Sequence, residues 1–288
     1  MAILTLFGAA GAAGVAAAGA YAGTSGAAAA SFAIAVLLLS TQGIVARAVA
    51  PLAVRLPSPD ERAMVVANGI DPDRVRVVES NDEAFTGGWI GPLGAPQLWM
   101  PSHWMTSGEL PVVQCYRRLV QLRSGDRTRG WLRAAAWPAP GILLVVPLLP
   151  WSWQDARLWI ALPAIASLWS FVAVLLLPSL TRPATNRADA AAAHALGAER
   201  VSRVIDRLDA WQDDEPERSP WVERVFHPVP SAGNRRRAIA IGVPPARAGG
   251  HQQTRLTLFA SLATGSLLGR MVHCNIGRPA LWVAYPGD

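Results

Sequence analysis

The sequence predicts an integral membrane α-helical protein with four or five transmembrane helices and an α+β domain in the cytosol. Two observations on composition and patterning carry this. About half of the 288 residues are apolar, only 16% are charged and the mean hydropathy is +0.25, outside the usual range of a purely soluble domain. The apolar residues are also concentrated in paired uncharged runs, with the arginines gathered between the pairs. Eleven arginines lie from Arg47 to Arg133 and eleven more from Arg182 to Arg247, against only Arg157 in the turn between the third and fourth runs. The positive-inside rule therefore places both arginine-rich segments in the cytoplasm.

Residues 2–22 and 27–46 read as a transmembrane hairpin, broken by Gly23-Thr24-Ser25-Gly26. Ala20-Tyr21-Ala22 has the form of a signal-peptidase site, but no basic residue precedes Arg47, so the charged start of a secretory signal is missing and no cleavage is expected. Gly8, Gly11, Gly14 and Gly19 leave one side of the first run almost bare, which permits close helix approach in lipid. Ser58-Pro59-Asp60-Glu61 is a capping box with proline at the first helical position, and Asn68-Gly69 supplies a stop. Val75, Val77 and Val78 predict a strand, and Gln97, Leu98, Trp99 and Met100 a second one after a glycine-bearing stretch. A third and a fourth span follow at about 134–149 and 158–180. Trp131, Trp137, Trp151, Trp153 and Trp159 near their ends suit an aromatic belt. One long alanine-rich helix is expected from Thr181 to about Leu208, with Val201, Val204, Ile205 and Leu208 on one side. The uncharged run 256–269 is short for a fifth span and fits a buried or re-entrant helix, with Ser261, Gly265 and Gly269 as a packing stripe. Four segments result: a hairpin (1–50), a cytosolic part (51–133), a second hairpin (134–180) and a cytosolic C-terminal part (181–288).

The central stretch from Glu109 to Asp126 reads ELPVVQCYRRLVQLRSGD. Leu110, Val112, Val113, Tyr116, Leu119 and Val120 recur at helical spacing as a buried face, and Gln114, Arg117, Arg118 and Gln121 fill the other. Taken alone, a helix with a cationic face is a solvated or membrane-facing surface. At this place in the topology the stretch also resembles the active helix of the HtpX-like and CaaX-prenyl-protease-type membrane zinc metallopeptidases, whose pattern is HExxHxxxGD. With Gly125 and Asp126 in register, Arg117 takes the first histidine, Arg118 the glutamate and Gln121 the second histidine. The segment 181–189 is similar to the family's SRxxExxAD, keeping Arg182, Ala188 and Asp189 but placing Thr185 at the third ligand. Ala84-Phe85, Gly87-Gly88, His227-Pro228 and Arg235 to Arg237 also resemble family elements.

A guanidinium has no lone pair to offer and stays protonated at cellular pH, so Arg117 cannot ligate zinc. A register three residues earlier brings only Gln114, Cys115 and Arg118 to the motif, and one thiol cannot close a zinc site. The resemblance therefore implies a degenerate member with a metallopeptidase-like cytosolic domain, no cofactor, no metal and no catalytic residues. It would act as a subunit, scaffold or regulator of a membrane assembly. In the related enzymes an edge strand pairs with the substrate backbone, which makes Gln97 to Met100 the peptide-groove candidates. The resemblance also implies that Asp189, which in the enzymes supports the first histidine, faces Arg117. Two readings compete: a metalloendopeptidase with a rearranged site using Cys115, His194 or His227, and an accessory subunit of a transporter or lipid-handling complex. The expected location is the plasma membrane of a bacterium, multi-pass, with the main domain cytoplasmic. Expected partners are membrane lipids and a protein in a complex or oligomer.

No lysine occurs, a bias that reflects GC-rich coding more than a demand for arginine chemistry, and nucleic acid is not expected as a partner. Cys115 and Cys274 are too few for a disulfide framework and are expected to be free. His103, His194, His227, His251 and His273 show no paired ligand spacing, and the acidic group Asp213, Asp214, Glu215 and Glu217 reads as a solvated turn.

Overall fold

The structure is a computed structural model that describes residues 2–49, 53–80, 82–212, 215–227, 229–242, 249–250 and 253–266. His251, His273, Cys274, Asp213, Asp214, Pro228, Gly269 and the apolar run 281–285 lie outside the described residues. In chain order the elements are α1 (Ala2–Ser40), α2 (Gln42–Val49), β1 (Ala53–Arg55), α3 (Pro59–Ala67), β2 (Val75–Glu79), β3 (Gly88–Ile90), β4 (Gln97–Pro101), α4 (Ser102–Met105) and α5 (Leu110–Arg123). They continue with α6 (Asp126–Ala136), α7 (Pro138–Val145), α8 (Ala156–Leu176), α9 (Pro178–Leu196), α10 (Ala198–Gln212), α11 (Pro220–Phe226), α12 (Ala232–Ile241) and α13 (Gln253–Ala260). The chain divides into two units, one from Met1–Pro51, Trp131–Leu176 and the segment beginning at Gln253, the other from Leu52–Gly130 and Leu177–Gln252. The described C-terminal residues 253–266 thus belong with the apolar helices and not with the second cytosolic segment.

In the apolar unit, three helical stretches among the described residues are long and apolar enough to cross a membrane: Thr5–Ser40, Asp126–Leu148 and Ala156–Leu176. Leu37, Leu144, Ile160 and Leu168 are among the large apolar side chains they leave exposed, as a lipid-facing surface requires. The first stretch is broken at Ala22 and Gly23, where Gly23 takes φ 68°, ψ −163°, a conformation that side chains with a Cβ rarely adopt. A Cβ on Gly14 would lie 3.3 Å from Ile34 Cδ1, although twenty residues of straight helix span about 30 Å. The chain therefore doubles back at this break. Gly11 faces the carbonyls of Leu262 and Ala263, and a Cβ there would sit 2.7 Å from the Ala263 oxygen. α13 and the 3₁₀ turn Ser261–Thr264 that follows it are buried almost throughout, as expected of an element that packs inside rather than one that faces lipid.

The aromatic belt needs correction. Trp131 and Trp153 are buried, and Trp153 Nε1 donates to Thr24 Oγ1 at 3.2 Å while its ring packs on Gly19. Trp137 stacks on Trp169 with ring centres 5.1 Å apart, and Trp159 Nε1 donates to the Trp153 carbonyl. These indoles fill the space that glycines leave, a demand invisible in hydropathy. Among the five, Trp159 is the exposed one.

In the other unit, the capping box at α3 forms as read: Ser58 N donates to Glu61 Oε2 at 2.6 Å, and Glu61 N donates to Ser58 Oγ. The sheet runs β1-β2-β4-β3, with β2 parallel to β4 and the outer pairs antiparallel. Gln97 to Met100 is therefore not an edge. Val75 to Val77 pair with Leu98 to Met100 on one side, and Gly88 to Ile90 pair with Trp99 to Gln97 on the other, so the chain's own strands occupy both rows of backbone groups. Leu98, Trp99 and Met100 are buried, and a peptide groove along them is excluded. The two short strands Ala53–Arg55 and Gly88–Ile90 escaped the sequence pattern because three residues are too few to show alternation. The expected single helix over 181–208 is two, separated at Gly197 with φ 96°. The face of α10 formed by Val201, Val204, Ile205 and Leu208 is buried as expected, in one core with Leu98, Met100, Trp104, Leu110 and Val113.

Candidate functional site

The polar face of α5 is the site, and its burial reverses the sequence expectation. Gln114, Arg117, Arg118 and Gln121 are at most 1% exposed, whereas Val112, Tyr116, Leu119 and Val120 are only half-buried. Leu110 and Val113 alone of the expected apolar face are fully covered. Burying guanidinium groups is tolerable only where they are paired and hydrogen-bonded, and the structure supplies the pairing. Arg117 Nε donates to Asp189 Oδ1 at 2.6 Å, across 72 residues, and Arg117 Nη1 donates to Gln114 Oε1 at 2.8 Å. The carboxylate expected to face Arg117 does so.

Asp189 lies on α9 and is 1% exposed. A second guanidinium reaches it from α12: Arg235 Nε donates to Oδ2 at 2.7 Å and Nη2 to Oδ1 at 3.0 Å, a two-point contact that fixes geometry as well as charge. One carboxylate thus ties α5, α9 and α12 together. Arg235 stood within the recognised stretch 235–237, but only its contact with Asp189 reveals a task. Arg118 does not take Asp189. Its Nη2 donates to the Thr86 carbonyl at 3.2 Å, and its own carbonyl accepts from Trp89 Nε1 at 2.9 Å, so the Thr86 to Trp89 strand entry clamps the middle of α5. Thr185 is buried on the same helix as Asp189, and its hydroxyl lies 3.5 Å from the Thr181 carbonyl of its own helix.

Asp126, the last residue of the HExxHxxxGD register, forms a second cluster. It begins α6 after Gly125 and accepts from Ser124 Oγ at 2.7 Å, from Arg129 at 2.6 Å, and from Arg187 Nη1 on both oxygens at 2.6 Å. Arg187 was not expected to hold anything. Further along, Arg182 Nη2 donates to the buried Glu223 at 3.1 Å, and Ser231 N and Asn234 Nδ2 donate to the same carboxylate. Burial pushes the Glu223 carboxyl up, yet these donors together hold it below the ordinary range.

The residues offered for a rearranged site do not gather. Cys115 is a free, buried thiol whose Sγ lies 3.6 Å from Met100 Sδ, and burial pushes its pKa up to about 12. A thiol held protonated in that way is neither a metal ligand nor a nucleophile. His194 is exposed on α9 and His227 half-buried at the end of α11. His103 packs edge-on against Trp104 and Trp211, and burial lowers its pKa. Among the described residues no three of His, Cys, Asp and Glu stand close enough together to hold a metal ion. No known protein-family model matches the chain, and no curated protein matches it in sequence.

Proposed function

We propose that this chain is a membrane pseudopeptidase: a protein built on the HtpX-like register whose zinc site has become an ionic cross-link, and which serves as a subunit, scaffold or regulator of a membrane assembly. The observation that carries the reading is the 2.6 Å contact between Arg117 and Asp189. The family register assigns those two residues to the first-histidine position and its supporting aspartate, and nothing in local periodicity would have paired them. The burial of Gln121 and Thr185, at the other two ligand positions, supports the same register.

The proposed topology has four spans, the two halves of the Thr5–Ser40 stretch followed by Asp126–Leu148 and Ala156–Leu176, with both arginine-rich segments in the cytoplasm of a bacterial cell. The reversal at Gly23 supports counting the first stretch as two. With β4 enclosed, a partner would not dock on it as an added strand. The test is affinity purification of the full chain in mild detergent, with mass spectrometry and zinc analysis of the eluate. A stoichiometric protein companion and no bound zinc are expected. About one zinc per chain after dialysis would overturn the pseudopeptidase reading, and a lone, metal-free chain would overturn the scaffold role.

A further inference from the structure

A small cavity adjoins the Asp189 cluster and shares Gln114 and Arg235 with it; Thr86, Arg118, Asp209 and Gln212 also line its wall. Its volume is about 20 Å³, counted as space open to the centre of a water molecule. A single water needs roughly 10–15 Å³ on that measure, so there is room for one compact polar group.

Gln114 shows which way the chemistry points. It is 1% exposed, and its Oε1 must face Arg117, because the reversed amide would set N–H against N–H. That orientation is therefore fixed, and it leaves Nε2 buried with no acceptor. An acceptor is wanted where Gln114 meets the cavity. Charge points the same way: Arg117, Arg118 and Arg235 stand against Asp189 and Asp209, three positive groups to two negative, which leaves one positive charge. Both Asp189 oxygens are already engaged by Arg117 and Arg235. Water would satisfy the amide and leave the charge, whereas a singly charged acceptor answers both.

We propose that this cavity binds one carboxylate-type anion, held by Gln114 Nε2 and the guanidinium groups of Arg118 and Arg235. The carboxylate is either a free ion of formate size or the side chain of an acidic residue on a docking peptide. Phosphate, with four oxygens, exceeds the space. The proposal stands without the pseudopeptidase reading, since it uses only groups and a cavity present in this chain.

The test has two arms on the full-length protein in detergent. In the first, thermal unfolding is followed by tryptophan fluorescence while sodium formate is titrated at constant ionic strength against a bulky sulfonate. A saturable rise in the midpoint is expected; it should vanish in Gln114→Leu and persist in Arg236→Gln, whose partner Asp206 is exposed. In the second arm, dye-labelled short peptides carrying Asp or Glu are compared with their Asn or Gln counterparts by fluorescence anisotropy. Binding about tenfold tighter for the acids is expected if the carboxylate arrives on a peptide. A formate response assigns a free ion, and acid preference without one assigns a docking side chain. Absence of both overturns the site. If Gln114→Leu does not fold, Gln114→Glu, which supplies its own carboxylate, should unfold at a higher temperature without formate and lose the formate response. A full response in that variant also overturns the site.

Discussion

Asp189 and Asp126 are both buried carboxylates, each holding two arginines, and they differ in where those arginines end. The side chains that grip Asp189, Arg117 and Arg235, are 0% and 8% exposed, whereas those on Asp126, Arg187 and Arg129, are 18% and 35% exposed. Asp126 also sits at the first turn of α6, where the helix dipole favours a negative charge, and has Ser124 in reserve. At Asp189 nothing but the two guanidinium groups is seen to hold the carboxylate, and water cannot substitute for either. The same pairing chemistry should therefore matter most where solvent is excluded, because the penalty of an unmatched charge scales with its isolation from water.

Asp189→Ala should have the largest effect, since it strands Arg117 and Arg235 in the interior. Losing one side of a buried pair costs about 3–5 kcal/mol, a large share of the roughly 5–15 kcal/mol that holds a typical domain. Denaturant unfolding in detergent, followed by fluorescence, measures it. Arg187→Ala comes next, at about 1.5–3 kcal/mol for a hydrogen bond to a charged group, because Asp126 keeps Arg129 and Ser124. The sequence alone offered Arg187 as a silent neighbour of Asp189, and the structure corrects that: its guanidinium bonds both Asp126 oxygens. An Arg187→Ala protein as stable as wild type would show that partial exposure suffices to replace the pair. Arg236→Ala, at the exposed pair with Asp206, should change stability by under about 1 kcal/mol.

Acid should loosen a third region. The Arg55 guanidinium, outweighing the opposing effect of burial, and the Ser58 amide hold Glu61 at about 2 against 4.5 for the free side chain. Between those values the unfolded chain binds more protons, so the contribution is complete above about pH 4.5 and is lost as pH falls through about 2. Glu61→Gln should flatten the dependence of the unfolding midpoint on pH in this window, and an unchanged slope would mean that the capping box bears no net charge effect.

Much of this was legible in the sequence, and the misses have physical causes. The capping box, strands β2 and β4, the α10 face and the close packing allowed by Gly11 follow from local rules of caps, alternation and size. The Arg117 to Asp189 contact followed from register, not from periodicity. Periodicity in fact misjudged α5, because hydrophobicity assigns arginine to solvent and cannot foresee a buried acceptor 72 residues away. Gln97 to Met100 looked like an edge because the three-residue strand that covers it, Gly88–Ile90, carries no pattern of its own. Gly197 divided a helix that alanine propensity favoured as one.

The central claim is that α5 and α9 form the scaffold of a metal site in which an ion pair stands where zinc once bridged. It is tested most directly by zinc analysis of the folded variant carrying Arg117→His, Arg118→Glu, Gln121→His and Thr185→Glu, with Asp189 retained to support the first histidine. A monodisperse preparation should take up about one zinc per chain, the closed stoichiometry of three protein ligands and a water. A folded, monodisperse variant that binds no zinc would contradict the claim, showing that these four positions do not converge as a metal site requires.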